Sequence, residues 1–115
     1  MILVNGVINL KQFDIWLLNL NPTIGSEINK TRPCIIISPN EMNWMKTVIV
    51  CPLTTKGFQT PTRTKFKFKG VENLALLDQI RTIDKKRLIK KLGVVHSSTQ
   101  KSISNILVEM FSLEH

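Results

Sequence analysis

The side chains in this sequence best suited to chemistry gather in three short polar stretches beside apolar runs: Glu27, Lys30 and Arg32; Thr54, Thr55 and Lys56; Asp78, Gln79 and Arg81. Arginine carries five donors in a fixed fork that matches a phosphate. With a threonine hydroxyl beside it, such a set suits an RNA phosphodiester better than a DNA one, because RNA brings its own 2′-hydroxyl nucleophile. The protein must then hold the 2′-oxygen in line with the leaving 5′-oxygen, stabilise charge on the phosphoryl oxygens and manage two protons. Arg32 supplies charge and donors, but its high pKa makes it a poor base. Asp78 and Glu27 are the better proton acceptors. A structural reading stands beside this one: Arg32 is a loop arginine satisfied by a carboxylate such as Glu27, and Asp78, Gln79 and Arg81 form a hydrogen-bond network.

Other chemistries find less support. One internal histidine, His96, two separated cysteines, Cys34 and Cys51, and no paired acidic motif make a metal site unexpected. The cysteines, each inside an apolar run, read as buried reduced thiols. His96 reads as a surface or cap-adjacent residue. Gly25, Gly57, Gly70 and Gly93 are isolated, so no phosphate-cradling glycine loop is present.

The charge balance points to an anionic partner. The 115 residues, 43% hydrophobic, carry a formal charge of +8. Residues 42–71 contain no Asp or Glu but hold Lys46, Lys56, Arg63, Lys65, Lys67 and Lys69. Nucleic acid is the commonest partner for such a surface. An acidic protein, an anionic membrane or a simple excess of solvated lysines stay open. The apolar start MILVNGVINL lacks a basic segment and is broken by Asn5, Gly6 and Asn9, so a cytoplasmic protein without a membrane span is expected. Residues 113–115, Leu-Glu-His, read as a tag remnant, which removes His115 from functional reasoning.

The elements that must position these groups are short strands. FDIWLLNL at 13–20 reads as a strand before the Asn21-Pro22 turn signal. Pro33 disfavours helix at Arg32, placing the arginine in extended backbone where loop becomes strand, and 34–37 read as a strand buried on both faces. TVIVCPL at 47–53 is a third strand that Pro52 should end or push to an edge. Residues 63–69 alternate strictly, with Arg63, Lys65, Lys67 and Lys69 as a basic comb on one face and Thr64, Phe66 and Phe68 on the other. LALLDQI at 74–80 reads as a buried strand. Asp84 is placed to cap a short helix over 85–91 that Gly93 stops, and 94–95 add a last short strand. Ser97 and Gln100 have capping-box spacing ahead of an amphipathic helix with Ile103, Ile106, Leu107, Met110 and Phe111 on one face. A small, strongly curved sheet with one terminal helix follows.

Read as ordered blocks, DIWLLNLNPTIGSEINKTRPCIIISPN (14–40), VIVCPLTT (48–55), PTR (61–63) and ALLDQIRTIDKKRL (75–88) closely resemble the MazF/PemK family, the endoribonuclease toxins of bacterial type II toxin–antitoxin modules. The resemblance covers most of the chain. It implies a mainly β fold with a C-terminal helix, a small SH3-like barrel of the CcdB/PemK type, over a single domain 1–115. It also implies a homodimer with a single-stranded RNA groove at the dimer face, and sequence-selective cleavage without metal or other cofactor to 2′,3′-cyclic phosphate and 5′-hydroxyl ends. The catalytic pair falls by position on Arg32 and Thr54. The groove, or RNA-binding, positions fall on Glu27, Lys30, Thr55, Lys56, Asp78, Gln79 and Arg81. The implied partner is an acidic antitoxin that folds over the basic groove and joins the toxin in binding DNA; the implied outcome of cutting mRNA is arrest of translation.

The sequence departs from the family pattern at Phe13 and in its first ten residues, and it lacks a variant site seen in some relatives. Some relatives pair an Arg-x-Asp on the later strand with a histidine in the first loop; here Leu76 and Ser26 hold those positions, so that variant is not expected. Phe13 stands where the family usually has glycine, implying a different opening turn, and residues 1–10 form an N-terminal extension or early hairpin strand. The loop 56–60 is expected to set which bases are accepted, with Phe58 and Trp44 more suited to core or dimer packing than to base stacking. Two other readings remain: a non-catalytic, gyrase-binding toxin of the same fold that uses its terminal helix, and an RNA-binding barrel without activity.

Overall fold

In the computed structural model, which describes residues 3–4, 7–21, 25–26 and 30–114, the chain builds its architecture around one long strand that changes partners. The first two strands, β1 (Leu3–Val4) and β2 (Val7–Ile8), pair antiparallel with each other. They precede β3 (Asp14–Asn19) and β4 (Thr31–Ile36), which pair antiparallel around the polar loop, as the sequence suggests. Then comes β5 (Thr47–Thr54). Its Val50, Cys51 and Pro52 pair with β4.

The opposite edge of β5 is shared by two strands. Leu53 and Thr54 pair with β7 (Val71–Leu76), which also holds β6 (Arg63–Phe68), and Thr47–Val50 pair with β8 (Arg81–Asp84). The strand β9 (Leu88–Val94) covers the far edge of β3. Among the described residues the large sheet has seven strands, ordered β6-β7-β5-β4-β3-β9 with β8 beside β5, and curls into an open antiparallel barrel. The helix α1 (Ser97–Phe111) follows. No helix of the described residues is long and apolar enough to cross a membrane.

Alternation along the central strands divides the interior in two. Trp16, Leu18, Cys34 and Ile36 face one apolar cluster, whereas Ile15, Ile35 and Cys51 face a second that also receives Val95 and Ile103. Successive side chains of a strand point to opposite faces, so Ile15–Leu18 of β3 and Cys34–Ile36 of β4 must be apolar at consecutive positions. This fits the sequence reading of 34–37 as buried on both faces. Cys34 and Cys51 fall in different clusters and are free thiols, and burial pushes Cys34 up to about 12 and Cys51 well above the ordinary range.

Several sequence expectations give way. Pro52 does not end β5; the strand runs through it to Thr54 and exchanges β8 for β7 along one edge. LALLDQI is not one strand: β7 stops at Leu76, and Leu77–Gln79 form a 3-10 turn that carries the chain from one half of β5 to the other. The helix over 85–91 is replaced by a single 3-10 turn, Lys85–Arg87, and then β9. Asp84 does cap that turn, its carboxylate accepting from the Lys86 N–H at 2.8 Å. Beyond it, the open edge of β3 needs backbone partners, and that long-range demand outweighs local helix preference.

Gly93 therefore stops no helix but sits in β9, where it meets the other edge of the sheet. A Cβ there would lie 2.9 Å from the Phe68 ring at the end of β6. Gly93→Ala is expected to cost about 1–3 kcal/mol by overpacking, read from urea unfolding, with Phe68→Leu in the same chain recovering part of the loss. An unchanged unfolding midpoint would contradict this closure.

At the helix start, the cap is His96 rather than Ser97. Its Nδ1 accepts from the Ser98 N–H at 3.3 Å, while the Gln100 amide donates to the Val95 carbonyl at 2.8 Å instead of completing the expected box. Ile103 is buried; Ile106, Leu107 and Met110 are partly covered; Phe111 is 70% exposed, outside the expected apolar face. Phe13 has φ 70°, the left-handed region that favours glycine, and its ring packs against the second cluster.

Candidate functional site at the strand ends

Arg32 is the second residue of β4, half-buried and paired across β3 with Leu18. The β4–β5 ladder ends at Cys34 opposite Pro52. Carried two positions further in the same antiparallel register, Arg32 falls across from Thr54, at the mouth where β4 and β5 part. Thr54 is the last residue of β5, paired with Leu74 and 8% exposed. Its Oγ1 accepts from the Lys56 N–H at 3.2 Å. That turn fixes the oxygen and leaves the hydroxyl proton to donate outward. Thr55 and Lys56 follow it, exposed, at the start of the loop into β6.

The stem of the polar loop is held by two arginines. The Arg81 guanidinium donates to the Leu20 carbonyl at 3.4 Å, and Arg87 donates to the carbonyls of Asn19, at 3.1 Å, and Asn21. The stem itself closes through the Leu20 N–H to the Lys30 carbonyl at 3.0 Å and the Lys30 N–H to the Asn21 side chain at 2.9 Å. Lys30 sits at φ 67°. Arg81 and Lys30 thus both bond the backbone of Leu20, Arg81 at its carbonyl and Lys30 at its N–H, directly before the arginine of β4. Glu27 lies outside the described residues. Arg87 holds the loop stem without any local sequence signal beyond the basic run 85–87.

Asp78 and Gln79 lie in the 3-10 turn after β7. Asp78 is gripped by Arg63 through two hydrogen bonds, at 3.1 and 3.2 Å, with the Thr62 hydroxyl donating at 3.4 Å. The Arg63 hydrogen bonds hold the Asp78 carboxyl below its ordinary value. Asp78 is therefore a weaker base than a free carboxylate, though still a better proton acceptor than an arginine. Its share of the pair's stabilisation is complete above the ordinary carboxylate range and is lost only as pH falls through that lowered value.

The basic comb forms on β6 but is partly neutralised, with Arg63 on Asp78 and Lys65 3.3 Å from Glu72. Trp44 and Phe58 are 80% and 73% exposed, so neither is core in this chain, which corrects that part of the sequence reading. Among the described residues, no three His, Cys, Asp or Glu side chains are grouped as a metal would require.

A curled antiparallel sheet with a terminal helix, and a polar site where two central strands part, defines a small SH3-like β-barrel. The family described as PemK-like, MazF-like toxin of type II toxin-antitoxin system matches residues 11–111, and the chain belongs to it. It is 31% identical over 105 residues to the Endoribonuclease MazF of Staphylococcus epidermidis, covering 85% of this chain and 88% of that protein. MazF of Deinococcus radiodurans has the same fold, with a TM-score of 0.79 at 20% identity over 90% of this chain and 97% of that one. So does a mycobacterial endoribonuclease solved in complex with its cognate antitoxin, with a TM-score of 0.77 at 22% identity over 93% and 99% of the two chains.

Proposed function

We propose that this toxin-family protein is a metal-independent, sequence-selective endoribonuclease that cuts single-stranded mRNA by attack of the 2′-hydroxyl, leaving 2′,3′-cyclic phosphate and 5′-hydroxyl ends. The observation that supports the reading is the β4–β5 register, which runs to Cys34 opposite Pro52 and, continued two positions, would bring Arg32 across from Thr54, in a family with endoribonuclease members. The Arg32 guanidinium grips the scissile phosphate and neutralises the charge that grows on its oxygens. The Thr54 hydroxyl, oriented by the Lys56 N–H, donates to a phosphoryl oxygen of the pentacovalent state. Lys30, Thr55, Lys56, Gln79 and Arg81, with Glu27, line the RNA path, while Asp78 serves it through Arg63.

The working unit is a homodimer in the cytoplasm. An acidic antitoxin folds over the basic groove and inhibits by occupying the phosphate sites, and the pair binds DNA together. The test is direct. Purified protein should cut a long single-stranded RNA at discrete sites and spare the same sequence as a duplex, and the cognate acidic partner should abolish cutting. A folded protein that cuts no RNA would overturn the reading.

A further inference from the structure

The loop between β5 and β6 holds an arrangement that the catalytic pair does not explain. Phe58 is 73% exposed, although aromatic rings usually find cover. It is not loosely placed. Gly57, at φ 104°, turns the chain before it, and the Arg63 guanidinium lies against the ring, 5.9 Å from its centre. Arg63 is itself fixed by the two-pronged bond to Asp78. One face of the ring is thus backed by a chain of fixed groups, and most of the ring stays open to solvent.

Beside it lies an open depression of about 220 Å³ that reaches from Thr54 and Thr55 to Phe58, Gln59 and Asn73. That is smaller than the ~300–1,000 Å³ of drug-sized sites. Its walls offer the Gln59 amide, with both a donor and an acceptor for the edge of a base. Thr54 forms one wall, so with Thr54 at the cut a base held here would belong to a neighbouring nucleotide.

We infer that Phe58 is the stacking platform for one nucleobase of the RNA, with Arg63 and Asp78 as the positioning residues that hold its ring and Gln59 reading the edge of that base. The inference rests on the endoribonuclease reading and deepens it. It gives Asp78 a place in the site through its two hydrogen bonds to Arg63. A flat hydrophobic face with a cationic backing accepts any base by its π surface, so selectivity at this position comes from the amide.

The experiment uses the full protein and an RNA oligonucleotide that spans a mapped cut site, made uncleavable by a 2′-deoxy substitution at the cut. Binding is followed by anisotropy for wild type and Phe58→Ala, with each base replaced in turn by an abasic residue. Phe58→Ala is expected to bind about 5- to 150-fold more weakly. At one position, and only there, the abasic loss and the Phe58→Ala loss should fail to add, since both delete the same stack. Phe58→Trp should restore affinity. In cleavage assays, Phe58→Ala should raise KM more than it lowers kcat. Asp78→Asn should give a smaller binding loss and relax base preference at that same position.

Additive losses at every position would overturn the proposal, as would unchanged binding by Phe58→Ala. So would a Phe58→Ala protein that only dimerises more weakly, which would make the ring a contact between copies. If wild type cuts and these cycles fail, only the platform falls; if wild type neither cuts nor binds RNA, the endoribonuclease reading falls with it.

Discussion

Arg32→Ala should lower RNA cleavage by at least the ~10²–10³-fold that follows loss of one transition-state donor. It should do so without unfolding the protein. The pairing of Arg32 with Leu18 runs through the backbone, and alanine keeps it. Pro33 goes on restricting that position to extended backbone, so the strand still begins at the same place. Arg32→Lys separates charge from geometry. A lysine keeps the positive charge but offers a point ammonium in place of a planar fork, and it should recover only part of the rate. Single-turnover cleavage of a mapped site, with circular dichroism as the control for folding, gives both numbers. Full activity in Arg32→Ala would remove the arginine from the site, and an unfolded Arg32→Ala would show that its side chain serves the barrel first.

The second large effect lies immediately downstream in the same strand. Ile35 and Ile36 are both fully buried, yet they belong to different apolar clusters because neighbouring residues of β4 face opposite sides of the sheet. Each truncation to alanine should cost about 2–5 kcal/mol. Domains of this size are stable by only ~5–15 kcal/mol. Two such losses together approach the whole stability of the domain, so the double substitution should leave little or no folded protein. Its departure from the sum of the single losses measures how far the two faces of the strand are coupled. Urea unfolding of the single and double variants measures this. A loss below ~1 kcal/mol for either would mean that one face of β4 is not a packed core, and the rigidity with which the strand holds Arg32 would then need another source.

Much of this was legible in the chain because β3, β4, β5 and β6 announce themselves locally. Alternation in residues 63–69, the β-branched run after Pro33 and the apolar run 47–53 each have a period and length that fit a strand better than a helix. The loop-to-strand position of Arg32 followed from Pro33, and the family resemblance supplied Thr54. What the sequence could not show was pairing between distant segments. Residues 88–94 carry leucines at a helical spacing, and only the open edge of β3 makes them a strand. Residues 74–80 are uniformly apolar up to Asp78, and only the partner exchange on β5 breaks them at Leu77. The grip of Arg63 on Asp78 spans 15 positions, so no local pattern could announce it. Nor could composition tell that Phe58 and Trp44 are exposed, since a lone aromatic in a loop looks the same whether it is covered or open.

In the proposed reaction the chain's own groups cut RNA by using the substrate's 2′-hydroxyl. The most direct measurement is cleavage in excess EDTA of two oligonucleotides that differ only by a single 2′-deoxy residue at the mapped cut site, with product ends identified by mass. The all-ribose strand should be cut to cyclic phosphate and 5′-hydroxyl ends, and the 2′-deoxy strand should stay intact. Cutting of the 2′-deoxy strand at that bond, or cutting that disappears with EDTA and returns with added metal, would contradict it.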